Sequence, residues 1–260
     1  MADCDKMKSD TRPVGTPAPG DAKVPAGAQR NAPATGSSSA DVADFVRRMK
    51  EMAPATAAGR GRLVFAMDAT MSRQPTWDMA LALQAEMFKA VKAIGGLDVQ
   101  LVYFRGAGEY RSSKWVSDPD ALSRLMTQVS CAGGYTQIRK VLSHARRESK
   151  QAKVNAVVYV GDCMEEDIDE LCARAGELAL LGVPMFLFQE GREPKAEQTF
   201  KEIARLTRGA YCHFDAGSAR QLRELLAAVA VYATGGRKAL QDHGAATRSA
   251  AAVQLLDQLG

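Results

Sequence analysis

The chain has 260 residues, of which 46% are hydrophobic and 25% charged, and its formal net charge is +4. That length accommodates one substantial domain with extensions, and no apolar run approaches the roughly 20 residues that a membrane-spanning helix requires. The positive excess is spread thinly, with no Lys or Arg run longer than the pair Arg146-Arg147, so a concentrated nucleic-acid-binding face is not expected.

Residues 1–40 are rich in Ala, Pro, Gly and Ser and nearly devoid of large apolar side chains. Ordering them would cost entropy that no buried surface repays, and they read as a disordered tail. The first thirty residues have no apolar core and are not expected to be a secretory signal. Cys4, Cys131, Cys163, Cys172 and Cys212 are odd in number and lack paired zinc spacing; reduced thiols and a cytoplasmic location are the expectation. Residues 41–57 read as a short helix and linker, with Val42, Phe45, Val46, Met49 and Met52 at helical spacing behind a capping Asp41.

From residue 58 to 235 strand and helix patterns alternate. Strands are predicted at 63–67, 99–104, 154–160, 183–188 and 210–214, mostly continuous apolar runs of the kind found where both sheet faces are covered. Helices are predicted at 77–94, 119–129, 138–150, 165–181, 194–207 and 218–232, and residues 109–116 read as a short antiparallel edge strand. In the first helix Trp77, Leu81, Met87, Phe88, Val91 and Ile94 form the apolar stripe, which makes Trp77 a packing residue. The alternation predicts an α/β fold: a doubly wound, mostly parallel central sheet with one antiparallel edge strand and helices on both faces. Residues 233–236 end this domain. Residues 236–260 read as a flexible linker, centred on 241–247, and a terminal helix carrying Val253, Leu256 and Leu259.

Three segments of the domain carry chemistry. The run Leu63 to Met67 ends in Asp68-Ala69-Thr70-Met71-Ser72, a carboxylate followed by two hydroxyls at alternate positions. Gly133-Gly134-Tyr135-Thr136 places a hydroxyl just before an amphipathic helix, and the run Val157 to Val160 ends in Gly161-Asp162. Ligands of doubly wound sheets bind beyond the carboxyl ends of the strands. Two carboxylates brought together there would repel without a cation, whereas carboxylate and hydroxyl oxygens suit a hard divalent ion. The same residue types also cap helices without any metal.

In order and spacing, Asp68, Thr70, Ser72, Thr136 and Asp162 resemble the metal-ion-dependent adhesion site (MIDAS) of the von Willebrand factor A (VWA) domain family. The likeness runs from about Arg62 to Gly235 and includes the late turn Thr207 to Tyr211 into the last strand. It implies a Rossmann-type three-layer sandwich. It also implies an intracellular protein-binding module or adaptor, not an enzyme, in which Mg2+, or Mn2+ or Ca2+, engages a carboxylate of a partner protein; no nucleic acid and no membrane is involved, and the oligomeric state stays open. Family members commonly carry Gly after the third-loop Asp, where this chain has Cys163, a side chain expected to narrow access. Glu165-Glu166-Asp167 are expected in the first turn of the next helix, making the rim acidic. The alternatives are a metal-independent VWA-like scaffold and a redox or hydrolytic enzyme using Cys163. A phosphotransferase is disfavoured because Thr70 stands where a second Asp of a D-x-D loop would be.

Overall fold

The computed structural model describes residues 60–214 and 218–247. The tail at 1–40, the helix at 41–57 and the terminal helix at 250–259 lie outside the described residues. Six strands form one sheet: β1 (Gly61–Asp68), β2 (Leu97–Arg105), β3 (Glu109–Ser112), β4 (Ala156–Gly161), β5 (Met185–Glu190) and β6 (Ala210–Phe214). Their order is β3-β2-β1-β4-β5-β6, all parallel except the edge strand β3. The helices are α1 (Gln74–Val91), α2 (Pro119–Thr127), α3 (Ile138–Gln151), α4 (Ile168–Ala179), α5 (Pro194–Leu206) and α6 (Ala219–Thr247).

Alternation along β1 shows why both faces are apolar. Leu63, Phe65 and Met67 point into a core built with Trp77, Met87, Leu122 and Met126 and the α6 residues Leu222, Leu226 and Val229. Val64 and Ala66 point into the opposite core, with Val141 of α3, Leu171 and Leu178 of α4 and Phe200 of α5. A strand with period two can serve two cores only if both sets of positions are apolar. Trp77 is a packing residue, 1% exposed, with its indole N–H donating to Met126 O at 3.1 Å. The stripe of α1 differs from the expected one at its edges: Ala80, Leu83 and Gln84 are buried, whereas Leu81 and Phe88 are only partly so. Ile94 lies beyond the helix and is exposed.

The last helix departs most from expectation. The helix breaks at Gly236, within the anticipated end, where φ is 66° and ψ −160°, and a second helical stretch then runs on to Thr247. The segment 241–247, expected as a flexible linker, is therefore helical. Leu240 supplies the reason, since it is buried in the α6-side core and anchors the second half of the helix.

Candidate metal centre

Asp68 closes β1 and Asp162 follows β4, and these are adjacent parallel strands with Met67 opposite Val160. The two carboxylates therefore leave the sheet side by side. After Asp68 the chain turns through a short 3-10 segment, Met71–Arg73, closed by Arg73 N–H donating to Thr70 O at 2.9 Å. The turn folds the first-loop side chains onto one another. Thr70 N–H donates to Asp68 Oδ1 at 2.7 Å, the Thr70 and Ser72 hydroxyls lie 3.4 Å apart, and Ser72 donates to Asp162 Oδ2 at 3.1 Å.

The second loop is pinned to the first by Ala132 N–H donating to Ala69 O at 3.0 Å. On its other side it packs against the β2–β3 turn, which requires Gly134 to lack a side chain: a Cβ there would lie 2.3 Å from the Gly106 carbonyl oxygen. Buried Thr136 pairs reciprocally with Glu165, its N–H donating to Glu165 Oε2 at 2.8 Å and its hydroxyl accepting from Glu165 N at 3.1 Å. Of the five sequence-predicted residues, Asp68, Thr70, Ser72 and Asp162 are thus joined in one chain of contacts. Thr136 is tied in through the loop that follows Asp162.

Glu165 and Glu166 are not where the sequence pattern puts them. Helix α4 begins only at Ile168, capped by Asp167, whose side chain accepts from Glu170 N. Glu166 instead accepts from Ile138 and Arg139 N–H and caps α3, whose own N-cap residue, Gln137, makes no side-chain cap bond. Both glutamates hold the second loop, Glu166 from a partly buried position and Glu165 while staying exposed at the rim.

The electrostatics of the pair are unusual. Asp68 is 1% exposed, and burial, opposed by hydrogen bonds from Thr70, pushes its carboxyl from 3.8 up to about 6. Each carboxylate keeps one buried oxygen without a hydrogen-bond partner, Asp68 Oδ2 and Asp162 Oδ1. Ligand atoms of Asp68, Asp162 and Cys163 all lie within 4.8 Å of one another. Two orphaned anionic acceptors flanked by hydroxyls fit a cation, because unpaired buried charge is costly and a hard ion satisfies it. Cys163 is half-buried beside them, and burial followed by the Asp162 charge pushes its thiol up to about 12. It is therefore a protonated thiol at neutral pH, not an activated nucleophile.

Two residues of the site escaped sequence reasoning. Arg73, directly after Ser72, is buried and its guanidinium reaches Asp162 Oδ2 at 3.0 Å, while a second N–H donates to Glu190. Glu190 ends β5, is itself buried, and also accepts from the Thr76 hydroxyl. The signal for Glu190 was available: Met185 to Glu190 is a third strand that runs out into a carboxylate, as β1 and β4 do.

Neither a family model nor a curated protein matches the chain by sequence. Solved structures do match. The VWA protein of Catenulispora acidiphila aligns at 18% identity and TM-score 0.53 over 67% of this chain and 43% of its own. The SpRpn10 VWA domain aligns at 10% identity and TM-score 0.51 over 65% of this chain and 95% of its own. The mussel byssus proximal thread matrix protein 1, in a form with a zinc-occupied MIDAS motif, aligns at 16% identity and TM-score 0.52 over 66% of this chain and 48% of its own. The fold is that of a VWA domain. This chain thus spans less than half of the Catenulispora and mussel proteins and nearly all of the SpRpn10 domain. Within its VWA fold, the gathered carboxylates and hydroxyls stand at the carboxyl ends of β1 and β4, the two central strands.

Proposed function

We propose that this VWA domain is a cytoplasmic protein-binding module in which a divalent cation, Mg2+ or else Mn2+ or Ca2+, takes the carboxylate of a partner. The observation that carries the reading is the pair of buried, unpartnered oxygens on Asp68 and Asp162. Asp68, Thr70, Ser72, Thr136 and Asp162 would hold the ion, which would present an open coordination position to an acidic side chain. The mussel neighbour, with zinc in its MIDAS motif, supports divalent binding on this fold. The surroundings support a protein partner: Met71 in the first loop and Tyr135 in the second are 64% and 72% exposed, and both flank the site. Exposed apolar and aromatic side chains beside a polar centre are what a protein interface uses. Free Cys131, Cys163, Cys172 and Cys212 fit a reducing compartment, and among the described residues no helix is long and apolar enough to cross a membrane.

A second reading, a metal-independent scaffold, is favoured by one observation, the Arg73 guanidinium already seated on Asp162. Thermal melts with and without Mn2+ separate the two. At 100 times its dissociation constant the ion adds about 2.7 kcal/mol, which for a domain of this size raises the melting temperature by roughly 5 to 10 °C. Asp68→Ala should show no such rise. A wild-type melt that millimolar Mn2+ or Mg2+ leaves unmoved would select the scaffold reading.

A further inference from the structure

Arg73 is held by two acids at once. One arm of its guanidinium lies 3.0 Å from Asp162 Oδ2, the oxygen that Ser72 also contacts, and the other donates to Glu190. Its Nε is 3.3 Å from Ser72 Oγ. Arg73 and Glu190 are buried, 8% and 5% exposed, while Asp162 and Ser72 face the open side of the cluster. A buried arginine that lost its only acid would be strongly destabilised. This one would not, because Glu190, itself fixed by Thr76, keeps it neutralised.

We propose that Arg73 is a tethered competitor of the divalent ion, and that Glu190 is the residue to which it retires. Without metal the guanidinium shares Asp162 with Ser72. When a cation enters, Asp162 turns its charge to the ion and Arg73 falls back on Glu190 alone. The affinity for metal is then set by the balance between two acids for one arginine. Arg73 and Glu190 are positioning residues: neither is a ligand, and both act through Asp162. The proposal rests on the metal reading above and specifies how that site is regulated.

The test is calorimetric titration of Mn2+ into the full chain and three variants, with circular dichroism to establish folding. Arg73→Met removes the competitor and should tighten Mn2+ binding about tenfold or more, in keeping with the coupling of close charge pairs. Glu190→Gln removes the retreat, leaves Arg73 on Asp162, and should weaken binding. The double variant decides the mechanism, because Glu190 acts only by way of Arg73: it should bind as tightly as Arg73→Met alone. If charge acted merely through its field, the two changes would offset and the double variant would return to wild-type affinity, which overturns the proposal. Equal affinity of wild type and Arg73→Met overturns it too, while leaving the metal site standing. Absence of Mn2+ binding in every folded variant removes the metal reading and this inference together. Should Arg73→Met fail to fold, Arg73→Gln keeps part of the stem and a donor without the charge, and the same comparisons apply.

Discussion

Two buried polar clusters among the described residues differ in how far their charged and amide groups are paired. Beside β2, His144 Nε2 lies 2.8 Å from Gln100 Oε1, Gln100 donates to Ser113 O at 3.0 Å, and Arg147 approaches His144 Nδ1 at 3.4 Å. Neither Gln100 nor His144 is left with an orphaned buried atom, although the neutral Tyr110 hydroxyl beside His144 is, and the cluster holds β2, the β3–α2 connection and α3 together. At the ends of β1 and β4, by contrast, Asp68 and Asp162 retain bare oxygens despite neighbouring hydroxyls and an arginine. A satisfied buried network rigidifies a fold, whereas an incomplete one costs stability. That difference is what the proposed cation would remove.

Substitutions should therefore move stability in opposite directions at the two places. Gln100→Ala takes two hydrogen bonds from a buried network and should cost about 2 to 4 kcal/mol, read as a lower urea midpoint. Asp68→Asn keeps an oxygen for Thr70 N–H but removes an unpaired buried charge, and should stabilise the metal-free protein by roughly 1 to 3 kcal/mol. In Mn2+ that advantage should shrink or reverse; a destabilised Asp68→Asn in metal-free buffer would contradict the comparison. A smaller effect is expected between the clusters. Glu166→Ala uncaps α3 and should cost about 1 kcal/mol, with weaker Mn2+ binding because the cap also holds the second loop.

The smallest effect is a pH slope. Burial lowers the His144 pKa from its ordinary 6.5, so the unfolded chain takes up the proton first as pH falls. The stability contributed by neutral His144 is complete above pH 6.5 and is lost progressively below it. Melts of wild type and His144→Gln between pH 8 and 5 should run parallel above 6.5 and converge below. Parallel curves throughout would mean that His144 does not titrate on unfolding.

Much of this molecule could be read from the chain alone. Continuous apolar runs ending in Asp68 and Asp162 located the central strands and both carboxylates, because a parallel strand covered on two faces must be apolar at every position and its carboxyl end is where polar side chains can begin. Thr70, Ser72 and Thr136 were singled out by the resemblance to the VWA adhesion motif, since their spacing alone is equally that of helix caps. Boundaries were less legible: α4 starts at Ile168, three residues after the expected Glu165, since a glutamate in a first turn and one capping a different helix look alike in sequence. The continuation of α6 past Gly236 was hidden for a similar reason. Gly236 does break the helix, as glycines ordinarily do, and the seat available to Leu240 in the core holds the helical stretch that resumes beyond it.

By itself the sequence determined the fold class and the parallel direction implied by alternating strands and helices, which follow from local patterns of apolarity, and through its resemblance to the VWA motif it offered the oxygen-bearing candidates of the site. Tertiary structure alone decided that β1 and β4 are neighbours, and so that Asp68 and Asp162 meet. It also decided that Glu166 caps α3 and that Arg73 lies between Asp162 and Glu190, 117 residues from the latter along the chain. Such contacts depend on which strand ends pack side by side and how the loops turn inward, and a charge in a sequence carries no mark of the partner it will find.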